Sequence, residues 1–324
     1  MKVGVGTMRA VLAFILLGAS SVGAEQPGAQ PTKMTLQLSD IGDYWSGDAS
    51  PKTNGGQNFA SLMMAYAAGD YGLTLTGGYA TTSYIYNSQT KEDFNLSSFL
   101  DSSLSAYYVT PKLMDLNFRL GLDFNLPTGH AGFTNRQINS ILIDNVAKEL
   151  APVSSFGRGF DVAPSITASL GRKNTLYGLG VRYLLPGQYN PAPEQQNKEY
   201  LQGDAITIFG SLVHNHTPSD QLLIDISGLF TARDRQGGLE VLKQGNAYNL
   251  NLRYIKSLRA LRMTFGASGG IQEKNQIFGA GGFTTEDRNT NNNYYEAYLN
   301  GSYVYSPKFT LNALAGYKDN LANG

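Results

Sequence analysis

In the segment DLNFRLGLDFNLPTGH (residues 115–130), Leu116, Phe118, Leu120, Leu122 and Phe124 fall on every second residue, with Asn117, Arg119, Gly121, Asp123 and Asn125 between them. An extended chain sends alternate side chains to opposite faces. This period of two therefore predicts a strand with one wholly apolar face and one polar or charged face. What the apolar face meets decides what the chain can fold into.

The same alternation returns along the sequence. It predicts thirteen strands, over 33–44, 58–67, 71–86, 97–109, 115–126, 159–170, 175–185, 203–214, 221–232, 246–255, 261–271, 293–305 and 308–318. Short turns such as 68–70, 110–114, 171–174 and 256–260 alternate with longer polar connections such as 45–56, 127–158, 186–202, 233–245 and 272–292. A soluble sandwich also alternates polar and apolar residues, but has no reason to collect its long loops at one end. A transmembrane barrel does, with short turns on one side, long outer loops on the other, an apolar face toward lipid and a polar face toward the lumen. Closure also satisfies the backbone hydrogen bonds that hydrocarbon leaves no water to make. The expected fold is all-β, a transmembrane antiparallel up-and-down β-barrel over 33–324. The 20 Tyr, 15 Phe and 37 Gly, with only 15% charged residues, suit that architecture. Tyr71, Tyr84, Tyr86, Tyr183 and Tyr305 stand near strand ends, where interfacial girdles form.

Barrels of this class have even strand numbers. Thirteen strands and a polar ending, YKDNLANG, carry the expectation that the sequence stops before the barrel closes, at 14 or 16 strands when complete. At the other end, Lys2 and Arg9, the apolar run Ala10–Leu17 and the small residues Val22, Gly23 and Ala24 read as an export signal over 1–24. A lead-in follows over 25–32. Removing the signal takes two of the 25 basic residues and none of the 25 acidic ones, leaving 23 against 25. That balance offers no footprint for nucleic acid. With no cysteine, disulfides, thiolate metal sites and cysteine catalysis are excluded. The expected location is the outer membrane of a bacterial cell. The expected partners are its lipids, the barrel-assembly machinery and a small-molecule solute; the oligomeric state is left open.

Projected onto the polar face are Asp101, Arg119, Asp123, Asp161, Arg182, Asp225, Arg253, Arg262, Glu296 and Lys318. They are candidate lumen residues whose opposed charges set the field of a solute path, or else an ion-pair network that fills a narrow barrel. In the long connection, Ile138, Ile141, Leu142, Val146 and Leu150 recur at helical spacing. They predict a helix in an outer loop, either a plug folded into the mouth or a lid packed on the rim. Pro164 cannot donate to a ladder, so it marks either a kink that opens the wall or a simple bulge. His214 and His216 form an H-x-H read as part of a turn, and His130 stands alone, so neither a metal site nor a Ser–His catalytic pair is expected. The run Gly279–Gly282 follows no helix-opening pattern, and no cofactor is expected.

The succession LGLDFNLPTG (120–129), a long insert, FGRGFDVAPSITASLG (156–171) and LGVRYLLPGQYNP (179–191) resembles the phenol meta-pathway family of outer-membrane proteins, within the wider group of fatty-acid and hydrocarbon channels. The resemblance covers about a quarter of the chain. It implies passive uptake of small molecules, apolar or aromatic ones among them. The N-terminal hatch of fatty-acid channels has no counterpart in the eight residues before the first strand, which leaves the loop helix as the expected plug. The function expected is a channel or transporter and not an enzyme; the alternative is a narrow, filled barrel with a structural or adhesive role.

Overall fold

The computed structural model describes residues 6–16, 32–47, 52–87, 91–130, 132, 157–190, 199–279, 284–286, 293–306 and 309–321. Among them there is no helix, and the strands pair antiparallel. In chain order the strands are β1 (Gly6–Leu16), β2 (Lys33–Gly47), β3 (Lys52–Ala68), β4 (Tyr71–Asn87), β5 (Lys91–Phe99), β6 (Ser102–Val109), β7 (Leu116–Leu126), β8 (Asp161–Arg172), β9 (Thr175–Leu184), β10 (Gln188–Tyr189) and β11 (Tyr200–Leu201). They continue as β12 (Ala205–Thr217), β13 (Asp220–Thr231), β14 (Arg233–Gln236), β15 (Leu239–Lys243), β16 (Ala247–Leu258), β17 (Leu261–Gln272), β18 (Gln276–Phe278), β19 (Thr284–Glu286), β20 (Asn293–Ser306) and β21 (Phe309–Leu321). The chain divides into two compact units: Met1–Tyr108 with Leu122–Val162 and Pro186–Leu201, and Val109–Gly121 with Ala163–Leu185 and Gln202–Gly324.

In the first unit β1 to β4 pair in chain order. β1 lies inside the segment read as an export signal; its sequence, GTMRAVLAFIL, ends in an unbroken apolar run with no alternation to announce a strand. The connection expected over 45–56 is mostly strand, since the β2–β3 ladder runs on through Trp45↔Gly55 to Gly47↔Thr53. The single strand expected over 97–109 is instead two. β5 pairs with the distal half of β4 and β6 with the proximal half; between Tyr79↔Phe99 and Thr76↔Ser103, Leu100, Asp101 and Ser102 lie opposite Gly77 and Gly78. Three residues there face two, the signature of a bulge.

In the second unit β9, β12, β13, β16, β17, β20 and β21 form an antiparallel series in chain order, with β8 along the other edge of β9. The turn between β6 and β7 falls one residue later than its composition suggests. Met114 and Asp115 both have positive φ (50° and 69°), as a two-residue type I′ turn requires. Leu113 and Leu116 exchange both backbone hydrogen bonds across it, at 2.9 Å. The polar connection over 233–245 holds a hairpin, β14–β15, turned at Gly237 and Gly238, both at positive φ. The expected closed barrel is not formed by the described pairing: β1 is hydrogen-bonded only along β2, and β21 only along β20. The antiparallel ladders are established, and closure is not.

Residues directly across a ladder share a face, so register shows which side chains line each surface. In the second unit the row Leu170↔Tyr177↔Leu212↔Ile224↔Leu252↔Ala267↔Ala297↔Tyr317 crosses eight strands without a polar residue. In the first unit Leu36↔Met64↔Leu75↔Leu104 does the same over four. These apolar faces are the exposed ones: Leu179 is 64% exposed, Ile226 56% and Phe99 65%. Among the described residues the buried apolar side chains are few, half of them alanine (Ala80, Ala163, Ala205, Leu96, Leu100, Ile255), while Asp101, Asp161 and Asp234 are buried.

Candidate functional site

The polar face of the second unit carries the neighbouring row, Ser169↔Gly178↔Ser211↔Asp225↔Asn251↔Ser268↔Glu296↔Lys318. Six of the ten charges projected from the sequence therefore fall on one face by register: Arg182, Asp225, Arg253, Arg262, Glu296 and Lys318. Arg253 stands two residues beyond Asn251, and its Nη2 lies 2.5 Å from Asp225 Oδ2 on the adjacent strand. Ser268 Oγ donates to Glu296 Oε2 at 3.4 Å. Both partners of the ion pair are about a third exposed, 34% and 38%, so the pair contributes less than about 1 kcal/mol to stability. Asn251 Oδ1 and Arg253 Nε are buried without a hydrogen-bond partner among the described residues. Such atoms are where water or a polar group of a solute would bond. Arg119 and Asp123 alternate with the apolar residues of β7 as expected, Arg119 exposed and Asp123 half-buried.

Aromatic rings on this face lie against the sheet. An added Cβ at Gly180 would strike the Phe209 ring, at Gly266 the Tyr298 ring and at Gly270 the Tyr294 ring. In the first unit Tyr107 covers Gly72, and Phe59 covers Gly78, in the same way. Each glycine provides the space in which a ring from the next strand lies flat.

Asp101 and Asp161 occupy a different position from the one expected of free pore charges. Both are 7% exposed and stand at strand ends, where they accept backbone hydrogen bonds. Asp101 accepts from Gly129 N (2.9 Å), Arg158 N (2.7 Å) and Asn125 Nδ2 (2.8 Å), and Asn125 Nδ2 also reaches Gly159 O. The two exits of the long connection thus converge on one carboxylate. Asp161 accepts from Gly187 N at 2.9 Å. In the second unit Asp234, 1% exposed, accepts from Gly203 N (2.7 Å), and Asn275 Oδ1 accepts from Gly245 N (2.8 Å). At all four places the glycine lies against opposing backbone with no room for a Cβ: Leu100–Asp101, Phe160, Ala232 and Glu273 respectively. These Gly–Asx clasps fasten the ends of the long connections to the sheet. Sequence reasoning missed them, although LPTG, LPGQ and FGRGFD, the stretches that carry the family resemblance, supply Gly129, Gly187 and Asp161.

The plug candidates Ile138, Ile141, Leu142, Val146 and Leu150 lie outside the described residues. Pro164 sits in β8 immediately before the ladder to β9 begins at Ser165↔Arg182, where its missing N–H removes no β8–β9 bond. His214 and His216 belong to the end of β12 and not to a turn, and His214 Nδ1 is hydrogen-bonded to Thr175 Oγ1 at 2.8 Å. Among the described residues no group of three potential ligands could hold a metal ion. No family model matches the sequence, and no curated protein matches it.

Proposed function

We propose that the chain builds a β-barrel of the bacterial outer membrane that acts as a channel for passive uptake of small solutes, apolar or aromatic ones among them. One observation carries this reading: the molecule is inverted. Its large aliphatic side chains and many of its aromatic ones form an exposed face on each unit, and the charged residues lie on the other, with further rings laid over glycines. In water each fully exposed Leu or Phe forgoes about 1.5–3 kcal/mol of burial, and an apolar surface far larger than monomers tolerate would drive association. In hydrocarbon the same face is at no disadvantage, and strands spanning it must be paired on both edges, so the barrel closes. The polar face then lines an aqueous path on which Asp225 is paired with Arg253, and Glu296, Arg182 and Arg262 share the same surface. A path that carries both signs of charge has no strong selectivity for anions or for cations.

A narrow barrel whose polar face is filled, serving structure or adhesion, is favoured by the direct Asp225–Arg253 pair. Liposome swelling separates the two. Protein reconstituted into liposomes should admit small sugars and phenol-sized solutes. Vesicles that hold inserted protein yet stay impermeable to every such solute would rule out the channel. Flotation of the purified chain with lipid tests the membrane assignment itself.

A further inference from the structure

The first unit contains a cavity of about 590 Å³, lined among others by Leu38, Leu62, Gly77, Tyr79, Phe99 and Leu100. That size is typical of a small-molecule site, about 300–1,000 Å³. It lies where β5 gives way to β6, and register places Leu38↔Leu62↔Gly77 and Ala60↔Tyr79↔Phe99 in two adjacent rows of the apolar face. The vacancy in the wall is at Gly77, where the pattern Leu73, Leu75, x, Tyr79 calls for a large apolar side chain. Nothing in the backbone demands glycine there. Its φ is not positive, and an added Cβ would meet only Ser102 Oγ, at 3.3 Å. Gly78, by contrast, is needed to admit the Phe59 ring on the other face. Gly77 therefore keeps open a space that a side chain could fill.

The chemistry of the lining defines the occupant. Thr128 Oγ1 accepts from Ser102 N (2.7 Å) and is bonded to Ser102 Oγ (2.9 Å), so the hydroxyls at the inner end are already engaged with one another. No charged side chain lines the cavity. It offers nothing to recognise a head group and much to contact a bare hydrocarbon chain, and it is continuous with an apolar face on which Phe99 is 65% and Leu38 44% exposed. A void without partner atoms forfeits the dispersion contacts of its whole lining. We propose that this niche seats one acyl chain of a membrane lipid, fixing it at the interruption between β5 and β6. The proposal rests on the membrane reading given above.

The test uses the full chain in liposomes containing phosphatidylethanolamine with a diazirine on one acyl chain, and maps cross-links by peptide mass spectrometry. Cross-links should concentrate on residues around Gly77 and Phe99, above the level at Ile226 and Leu250 on the second unit's apolar face. Gly77→Leu should reduce the niche signal to that level and leave the control positions unchanged. Gly77→Ala, which adds only a Cβ that the Ser102 hydroxyl can admit by moving a few tenths of an ångström, guards against misfolding and should give a partial reduction. Uniform labelling, or a niche signal unchanged by both substitutions, overturns the proposal. Selective loss of the niche signal on adding excess toluene would assign the space to a free apolar solute and equally overturn it. Absence of cross-links from every apolar position in folded protein would defeat the membrane reading itself.

Discussion

Replacing Asp101 with alanine removes the carboxylate on which both exits of the long connection converge. Gly129 N and Arg158 N then lose an acceptor at 2.9 and 2.7 Å in a site only 7% exposed, whereas Asn125 Nδ2 keeps Gly159 O. An unsatisfied buried donor costs about 1–3 kcal/mol, and two such donors with partial access of water put the loss at about 3 kcal/mol. Asparagine retains one oxygen but turns an amide NH2 toward donors, so Asp101→Asn should lose about half as much. Urea unfolding of reconstituted protein, followed by circular dichroism, should rank parent above Asn above Ala. If opening at the clasp is local, amide exchange at Gly129 and Arg158 should accelerate about a hundredfold in the alanine variant, since each 1.4 kcal/mol is a factor of ten. An alanine variant within 0.5 kcal/mol of the parent, or an asparagine variant less stable than the alanine one, would refute the clasp.

Glycines separate by what surrounds them. Gly245→Ala sets a methyl against Glu273 O and should destabilise by about 1–3 kcal/mol, whereas Gly301→Ala, with nothing within 4 Å, should be neutral or gain about 0.5 kcal/mol; paired melting experiments would show it. Met114→Asn places a residue tolerant of positive φ in the β6–β7 turn and should raise stability by up to about 1 kcal/mol by the same measurement; a loss would contradict the turn geometry. Asp225→Asn leaves Arg253 without its partner and adds net positive charge to the polar face. Reversal potentials across planar bilayers should move toward anion preference, and Arg253→Gln should move them the other way, with fold stability changed by less than about 1 kcal/mol.

The elements of this fold that obey a period of two were legible from the residues themselves. Leu116 to Phe124 in β7, Leu73 and Leu75 in β4, and Tyr248 to Tyr254 in β16 announce both strand and face. What depends on long-range pairing was not. That Asp225 meets Arg253 follows from a register 28 residues apart, and the interruption at Leu100 depends on Gly77 and Gly78 in another strand. The extension of β2 and β3 through Trp45–Gly47 was hidden by a composition of turn-forming residues, which a hairpin ladder overrides. The β14–β15 hairpin was missed for a poorer reason, because Gly237-Gly238 between two short runs is itself a turn signal. Asp101, expected within a strand, falls in the interruption between β5 and β6, and Asp161 opens β8; their hydrogen bonds to backbone were not legible, since sequence does not show which carboxylates find backbone donors.

The rings lying over glycines on the polar face have a consequence for how such a chain can change over generations. Tyr298 and Gly266 occupy one space between them, as do Phe209 with Gly180 and Tyr294 with Gly270. A methyl gained at the glycine must lift the ring off the wall, and a ring lost from its partner leaves bare backbone. Either step alone is a fault, whereas the two together exchange one filled surface for another. Inheritance at these positions therefore proceeds by linked steps, and a descendant that carries Ala at 266 should be found with something smaller than Tyr at 298.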